Sequence, residues 1–501
     1  MRSIRSPKAP RGDSGAPDFR PGKSAAGAHR ARWMGALWLG LGLLTVSGLG
    51  VGVGLSVTGP SGQPALCAPS APPLQVIRDG TECVGVTDGS YIFAPGIASI
   101  EHDIAKENAN VVRQGHYVTV ALLMPLTSTA TSDVSPARIA DLVNGTYAAL
   151  HYADAAQGED VYPRIRLVLA NEGSQEQAWH QVTGQLEAMT GSSDHLVAVI
   201  GMGISVAQTV DGARALSKAG IPMIGAVTTA DSLDWSGIPG LARIAPSTSQ
   251  QAGALASYLR AHGGIRSSFL VSDSNTSDLY TGKLTRDFQA QFAKSIIGNE
   301  PYGSGPEVGN EFGLIADNVC GSSPPPVVIY AGREVVLPDF IRRLQGAPNC
   351  DGKQITVLTG GDADGLPAGI TVAQHGPASQ PDPAQVSVVH TATAHLAEIS
   401  AQFRQNFMAA SSPDLAGLSD TWTLSAYDSM AAAAKAISLA TAGFSALPQP
   451  SLVLNTIPLM NGQHGVQGAT GAFSIDPTGQ KSGQTIPIIK LSSGSAQTLS
   501  P

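Results

Sequence analysis

Charge is scarce in this sequence: Asp, Glu, Lys and Arg together make up 14% of its 501 residues. After residue 32 no dense basic run could track a phosphate backbone, which argues against a nucleic-acid partner. Cysteine is scarcer still, with four residues that fall into two sequence-local pairs, Cys67 with Cys83 and Cys320 with Cys350. Neither pair has C-x-x-C spacing and no histidine cluster accompanies them, so a zinc or redox centre has no basis. Two structural disulfides are expected in an oxidising compartment, with free buried thiols as the alternative. The pairing rests on order alone, since four cysteines allow three connectivities.

Catalytic signatures are missing too. Gly201-Met202-Gly203 follows a strand, but Val206 stands where the third glycine of a dinucleotide loop would fall. There is no G-x-S-x-G elbow, no phosphate-cradling G-x-x-x-x-G-K-S/T and no H-E-x-x-H. Glu101, His102 and Asp103 are adjacent on a charged helical stretch, where neighbours point in different directions, so they read as a solvated face. The chain is expected not to be an enzyme and to need no cofactor or metal.

What is present is apolar material, 43% of the chain, enough for more than one core. The opening stretch carries Arg2, Arg5, Lys8, Arg11, Arg20, Lys23, Arg30 and Arg32 against Asp13 and Asp18, amid Pro, Gly, Ser and Ala. Such a stretch cannot bury enough surface to fold. Directly after it, MGALWLGLGLLTVSGLGVGVGLSVT (34–58) runs without a charge for roughly 25 residues, long enough to cross a ~30 Å hydrocarbon layer. The competing reading, a cleaved signal peptide, would have an apolar core of about 7 to 15 residues. With the basic flank cytoplasmic, everything that follows faces the outside of the cell membrane as a single-pass protein.

The expected organisation is a disordered basic tail over 1–33, a transmembrane helix over 34–58 and an extracytoplasmic stalk with a small subdomain over 59–115. From residue 117 short Val-, Ile- and Leu-rich runs alternate with helical stretches: YVTVALLMPL (117–126), IRLVLAN (165–171), LVAVIGMG (196–203) and IPMIGAVT (221–228). A second series contains SSFLVSD (267–273), PVVIYAG (326–332) and ITVLTGGD (355–362). Runs of this kind are parallel strands covered on both faces and joined by right-handed crossovers. The expected fold class is therefore α/β with two Rossmann-like lobes joined by crossover strands. The first lobe is assigned 116–247 and 383–467, the second 248–382 and 468–495.

Open α/β sheets bind ligands beyond the carboxyl ends of their strands. Small polar residues gather there: Thr127 and Ser128, Asn171 and Glu172, Gly203 and Ser205, Thr228 and Thr229. Each one alone can be a helix N-cap. In order, VTVALLMPLT, VAVIGMGISVAQT, IPMIGAVTTADSLD, RIAPSTSQQAGALASYL, SDSNTSDLYTGKL, IYAGREVVLPDFIRRL, VLTGGDADG, AYDSMAAAAKAI and GATGAFSIDPTGQ resemble the type I periplasmic binding proteins for amino acids, the leucine/isoleucine/valine kind that serve ABC transporters. The resemblance implies a small, amino-acid-like ligand in an interlobe cleft and an ABC permease as partner. It implies that the ligand carboxylate meets the turns Gly203-Ile204-Ser205 and Val227-Thr228-Thr229, and that Asp362 pairs with the ligand ammonium. Tyr280 and Arg333 fall at further contact points. Asp362 is shorter than the usual glutamate, and Arg333-Glu334 replace aromatic residues, which points away from a purely aliphatic ligand. Asp362 also reads as a helix cap. Its replacement by alanine is expected to abolish amine binding while leaving the fold intact. The alternative functions are a ligand-sensing receptor and an envelope scaffold whose cleft has lost its ligand.

Overall fold

The computed structural model describes residues 66–69, 72–156, 163–305, 307–322, 326–373, 382–394, 396–410, 420–442 and 446–499. The expected basic tail and membrane-spanning segment lie outside them. Among the described residues no helix is long and apolar enough to cross a membrane.

The chain opens with β1 (Val76–Asp79), β2 (Glu82–Thr87) and α1 (Ala98–Gln114). The first β-α alternation follows: β3 (Tyr117–Met124), α2 (Pro136–Ala156), β4 (Arg164–Asn171), α3 (Trp179–Thr190), β5 (Leu196–Gly201), α4 (Ala207–Lys218), β6 (Met223–Gly225) and β7 (Leu241–Arg243). These strands form one sheet in the order β1-β2-β4-β3-β5-β6-β7, parallel from β4 onward. The period-2 alternation of β3 divides its side chains between two cores. Val118, Val120 and Leu122 face α2 and the later helices, while Ala121 and Leu123 face α3 and α4.

The second series is α5 (Thr248–Ala261), β8 (Ser268–Asp273), α6 (Leu279–Phe292), β9 (Ile296–Tyr302), α7 (Val308–Cys320), β10 (Val327–Ala331), α8 (Leu337–Gly346), β11 (Gln354–Thr359) and β12 (Gln385–Thr391). The chain then returns to the first lobe through α9 (Ala401–Ala410), α10 (Trp422–Thr441) and α11 (Pro450–Thr456). It ends with β13 (Val466–Gly468), β14 (Gly471–Ile475), β15 (Lys481–Ser482), β16 (Ile488–Ser492) and β17 (Ser495–Leu499). The second sheet runs β17-β16-β12-β11-β10-β8-β9. One of its faces packs Phe312, Phe340 and Ile341 and the other Leu255, Leu284 and Phe288.

Helices α2 and α10 touch so closely that a Cβ on Gly145 would lie 2.1 Å from the Thr423 carbonyl oxygen. This contact holds the middle of α2 against the first turn of α10.

The lobe boundaries differ from the expected ones in three places. The described part of the expected stalk and small subdomain from residue 76 to 114 is part of the first lobe, because β2 pairs antiparallel with β4 and α1 packs on β4. An exposed sheet edge is covered this way. Strand β12 lies in the second sheet, paired parallel with β11, so the chain crosses back after Thr391 rather than at 383. The segment 466–482 forms a small sheet held to the first lobe, where Lys481 pairs with Asp428 of α10 at 2.6 Å, and the final hairpin β16–β17 closes the second sheet. Disulfides join Cys67 to Cys83 and Cys320 to Cys350, the pairs expected from order. The first ties the leading segment to β2 and the second ties α7 to the turn after α8.

Candidate functional site

The carboxyl ends of both sheets face one buried, polar seam between the lobes. On the first-lobe side β5 ends at Gly201 and leads into Met202 and Gly203, all three with φ between 61° and 85°. A Cβ on Gly203 would lie 2.5 Å from Glu176 Oε1, so glycine is needed for the close approach of that carboxyl. Glu176 accepts from Ile204 N–H at 2.7 Å and lies 2.5 Å from the Thr209 hydroxyl. Burial pushes its carboxyl up to about 7, and burial together with Glu176 holds its neighbour Glu172 well above the usual carboxylate range. Ser205 Oγ accepts from Thr229 N–H at 2.8 Å and Ala230 N–H at 3.0 Å, which fastens the two predicted turns together.

From the second lobe, α6 begins against this turn: Leu279 and Tyr280 donate their N–H groups to the Ser205 carbonyl at 3.0 and 3.1 Å. Asp278, the N-cap of α6, accepts from Thr281 N–H and holds Arg333 by two bonds of 2.7 and 3.0 Å. The Arg333 guanidinium also lies over the Tyr280 ring at 4.8 Å and 3.6 Å from Asp362. The Tyr280 hydroxyl accepts from Asp362 N–H at 3.3 Å, and Asp362 Oδ2 accepts from Glu334 N–H at 2.7 Å.

Arg138, in the first turn of α2, reaches across the seam. It meets Asp362 Oδ1 at 3.2 Å and the Asp362 carbonyl at 2.6 Å, Glu334 at 3.6 Å and Asp420 at 2.8 Å, with the Trp422 ring 4.1 Å from its guanidinium carbon. Burial opposes the charge on Arg138, but Asp420, Asp362 and Glu334 outweigh it and hold the group above its ordinary pKa. Beside it, burial and Asp420 push Asp364 up to about 7; Asp364 accepts from the N–H and hydroxyl of Thr421. A small cavity of about 50 Å³ opens at the rim between Asp133, Glu176, Gln208 and Asn275, room for water but not for an amino acid. Among the described residues no group of three His, Cys, Asp or Glu is placed to hold a metal ion.

Of the predicted residues, Ser205, Thr229, Tyr280, Arg333 and Asp362 form one connected network. Gly203 adjoins it by shaping the turn. The other three sit differently. Thr127 donates to Glu82 at 2.5 Å, on the β2 side of the lobe. Val227 packs into the first-lobe core. The Thr228 hydroxyl lies close to Gly225 at the end of β6, without a hydrogen-bond partner. Arg138, Asp278, Asp420, Trp422 and Glu176 were not foreseen. One signal was available for Arg138: a cation in the first turn of a helix opposes the helix dipole, a local misfit that calls for compensating carboxylates from elsewhere.

Two seven-stranded sheets, each parallel through its centre with antiparallel strands at one edge, joined by three crossings and opposed at their carboxyl ends, define a two-lobed architecture, the type I periplasmic-binding fold. Solved structures with this fold include the branched-chain amino-acid transporter substrate-binding protein of Streptococcus pneumoniae in complex with isoleucine, 17% identical, TM-score 0.57, over 77% of this chain and 100% of that one. A leucine-binding protein from Thermotoga maritima is 16% identical with TM-score 0.56, over 76% of this chain and 98% of its own. A solute-binding protein of an ABC transporter from R. palustris in complex with benzoate is 17% identical with TM-score 0.54, over 76% and 95%. No protein-family description and no curated protein matches the chain by sequence.

Proposed function

We propose that this chain is a binding protein rather than an enzyme. It takes a small, amino-acid-like ligand between its lobes as the substrate-binding component of an ABC-type uptake system. The observation that carries this reading is the meeting of strand-end turns from both sheets, with Ser205 and Thr229 on one side and Tyr280 and Asp362 on the other, in a seam sheltered from water. Similar solved proteins hold isoleucine and benzoate, so the architecture accepts ligands of different chemistry. With two guanidinium groups and several carboxylates at the seam, a charged or polar ligand suits it better than an aliphatic one.

A thermal-shift screen of the full chain against amino acids, amines, short peptides and aromatic acids tests the proposal. A ligand bound only by the folded state raises the melting temperature by mass action. At least one charged compound is expected to do so. A flat response to all of them would favour the second reading, an envelope scaffold, which the direct pairing of Arg138 with Asp362 across the seam supports.

The proposed location follows from the sequence: residues 34–58 anchor the chain and the lobes face outward. Protease added to intact cells is then expected to remove the chain beyond residue 59, whereas its protection would reverse the orientation.

A further inference from the structure

We propose that Arg138 is an internal stand-in for the cationic head of a ligand. Its guanidinium holds the lobes together, and any ligand that reaches Asp362 must displace it and must itself carry a guanidinium or amine. This rests on the ligand-binding reading above and adds to it the closing residue and the ligand charge.

Three features carry the inference. The carboxylates around Arg138 come from both lobes: Asp362 and Glu334 follow second-sheet strands, while Asp420 precedes α10 of the first lobe. One side chain thus ties two bodies together. Those carboxylates are also held in place by groups other than arginine. Asp362 accepts from Glu334 N–H at 2.7 Å and Asp420 from Trp422 N–H at 2.9 Å. A receptor for a cation therefore exists in the backbone, with the guanidinium as its removable piece. Finally, the charges do not balance. Within 4 Å of the two guanidiniums of Arg138 and Arg333 stand four carboxylates, those of Asp278, Glu334, Asp362 and Asp420. A neutral or anionic ligand that displaced Arg138 would leave Asp420 buried without a counter-charge and Asp362 with Arg333 alone, whereas a cation lying on the Trp422 face would restore the balance.

The test compares the full-length wild type with Arg138→Ala, using agmatine and L-arginine as probes and L-leucine and L-glutamate as controls. Small-angle scattering reads the separation of the lobes, and thermal shift reads binding. Arg138→Ala is expected to have a larger radius of gyration than wild type. Agmatine should restore the compact value and raise the melting temperature at concentrations at least about tenfold below those that affect wild type, the equivalent of about 1.4 kcal/mol. L-Leucine and L-glutamate should do neither. If Arg138→Ala stays compact, or opens without responding to agmatine, the proposal is overturned. Should that variant fail to fold, Arg138→Lys is measured in the same way. It keeps the charge but not the fork that spans Asp362 and Asp420, so it should open in part and respond to agmatine; a compact, unresponsive lysine variant would equally overturn the proposal. The broader ligand-binding reading fails separately, only if no compound of the wider screen shifts either protein.

Discussion

Replacing Asp362 with alanine is expected to lower the stability of the folded chain by about 3–5 kcal/mol, the usual cost of removing one partner from a buried ion pair. Asp362 lies between Arg138 at 3.2 Å and Arg333 at 3.6 Å, and all three side chains are at most 6% exposed. Truncation leaves two guanidiniums facing one carboxylate fewer and Glu334 N–H without its acceptor. Asp362→Asn keeps the acceptor and should cost less. Urea denaturation of the three proteins measures the difference. Equal midpoints for wild type and Asp362→Ala would mean that the seam is more hydrated than its geometry implies. The fold is thus not spared by this change, contrary to the expectation from the sequence. In the folded chain Asp362 does not wait for a ligand, because Arg138 and Arg333 already pair with it.

The second large effect is a dependence of stability on pH. Burial raises Glu176 from an ordinary 4.5 to about 7, so between those values the folded state holds a proton that the unfolded chain releases. Its contribution is therefore fully present below pH ~4.5 and is lost as pH rises through about 7, with a cost on the order of 3 kcal/mol. Asp364, Asp141 and Glu101, which burial also raises to about 7, act with the same sign; Glu101 is buried and accepts from Phe93 N–H at 3.1 Å, so it does not belong to the solvated face expected for Glu101, His102 and Asp103. The protonated Glu176 can donate to Thr209 while still accepting from Ile204 N–H. A glutamine amide reproduces both bonds. Glu176→Gln is thus expected to match wild type near pH 5 and to be the more stable of the two near pH 8. Denaturation midpoints at the two pH values check this, and an unchanged slope in the variant would show that Glu176 does not carry the proton.

Much of the architecture was legible because parallel strands covered on both faces leave unmistakable apolar runs. YVTVALLMPL, LVAVIGMG and ITVLTGGD each fall on a strand of the observed sheets. The lobe assignment was harder to read. The run VSVVHTAT has the same composition in either sheet, and only its pairing with β11 places it in the second. The hairpin β1–β2 is not legible as part of the first lobe because its strands are short and its pairing with β4 is a long-range event.

The seam shows the same division. Ser205, Thr229, Tyr280, Arg333 and Asp362 stand at strand ends, where topology predicts function. Arg138 and Asp420 stand in or just before the first turns of helices 282 residues apart in sequence. They meet because α2 and α10 pack closely at Gly145, which no local pattern announces.

A crystal structure of the chain with the strongest compound from the screen tests the central claim most directly. The compound should contact the Ser205–Thr229 turn of one lobe and Asp362 of the other, with Arg138 moved aside. A compound bound elsewhere, with the contact between Arg138 and Asp362 intact, would contradict it.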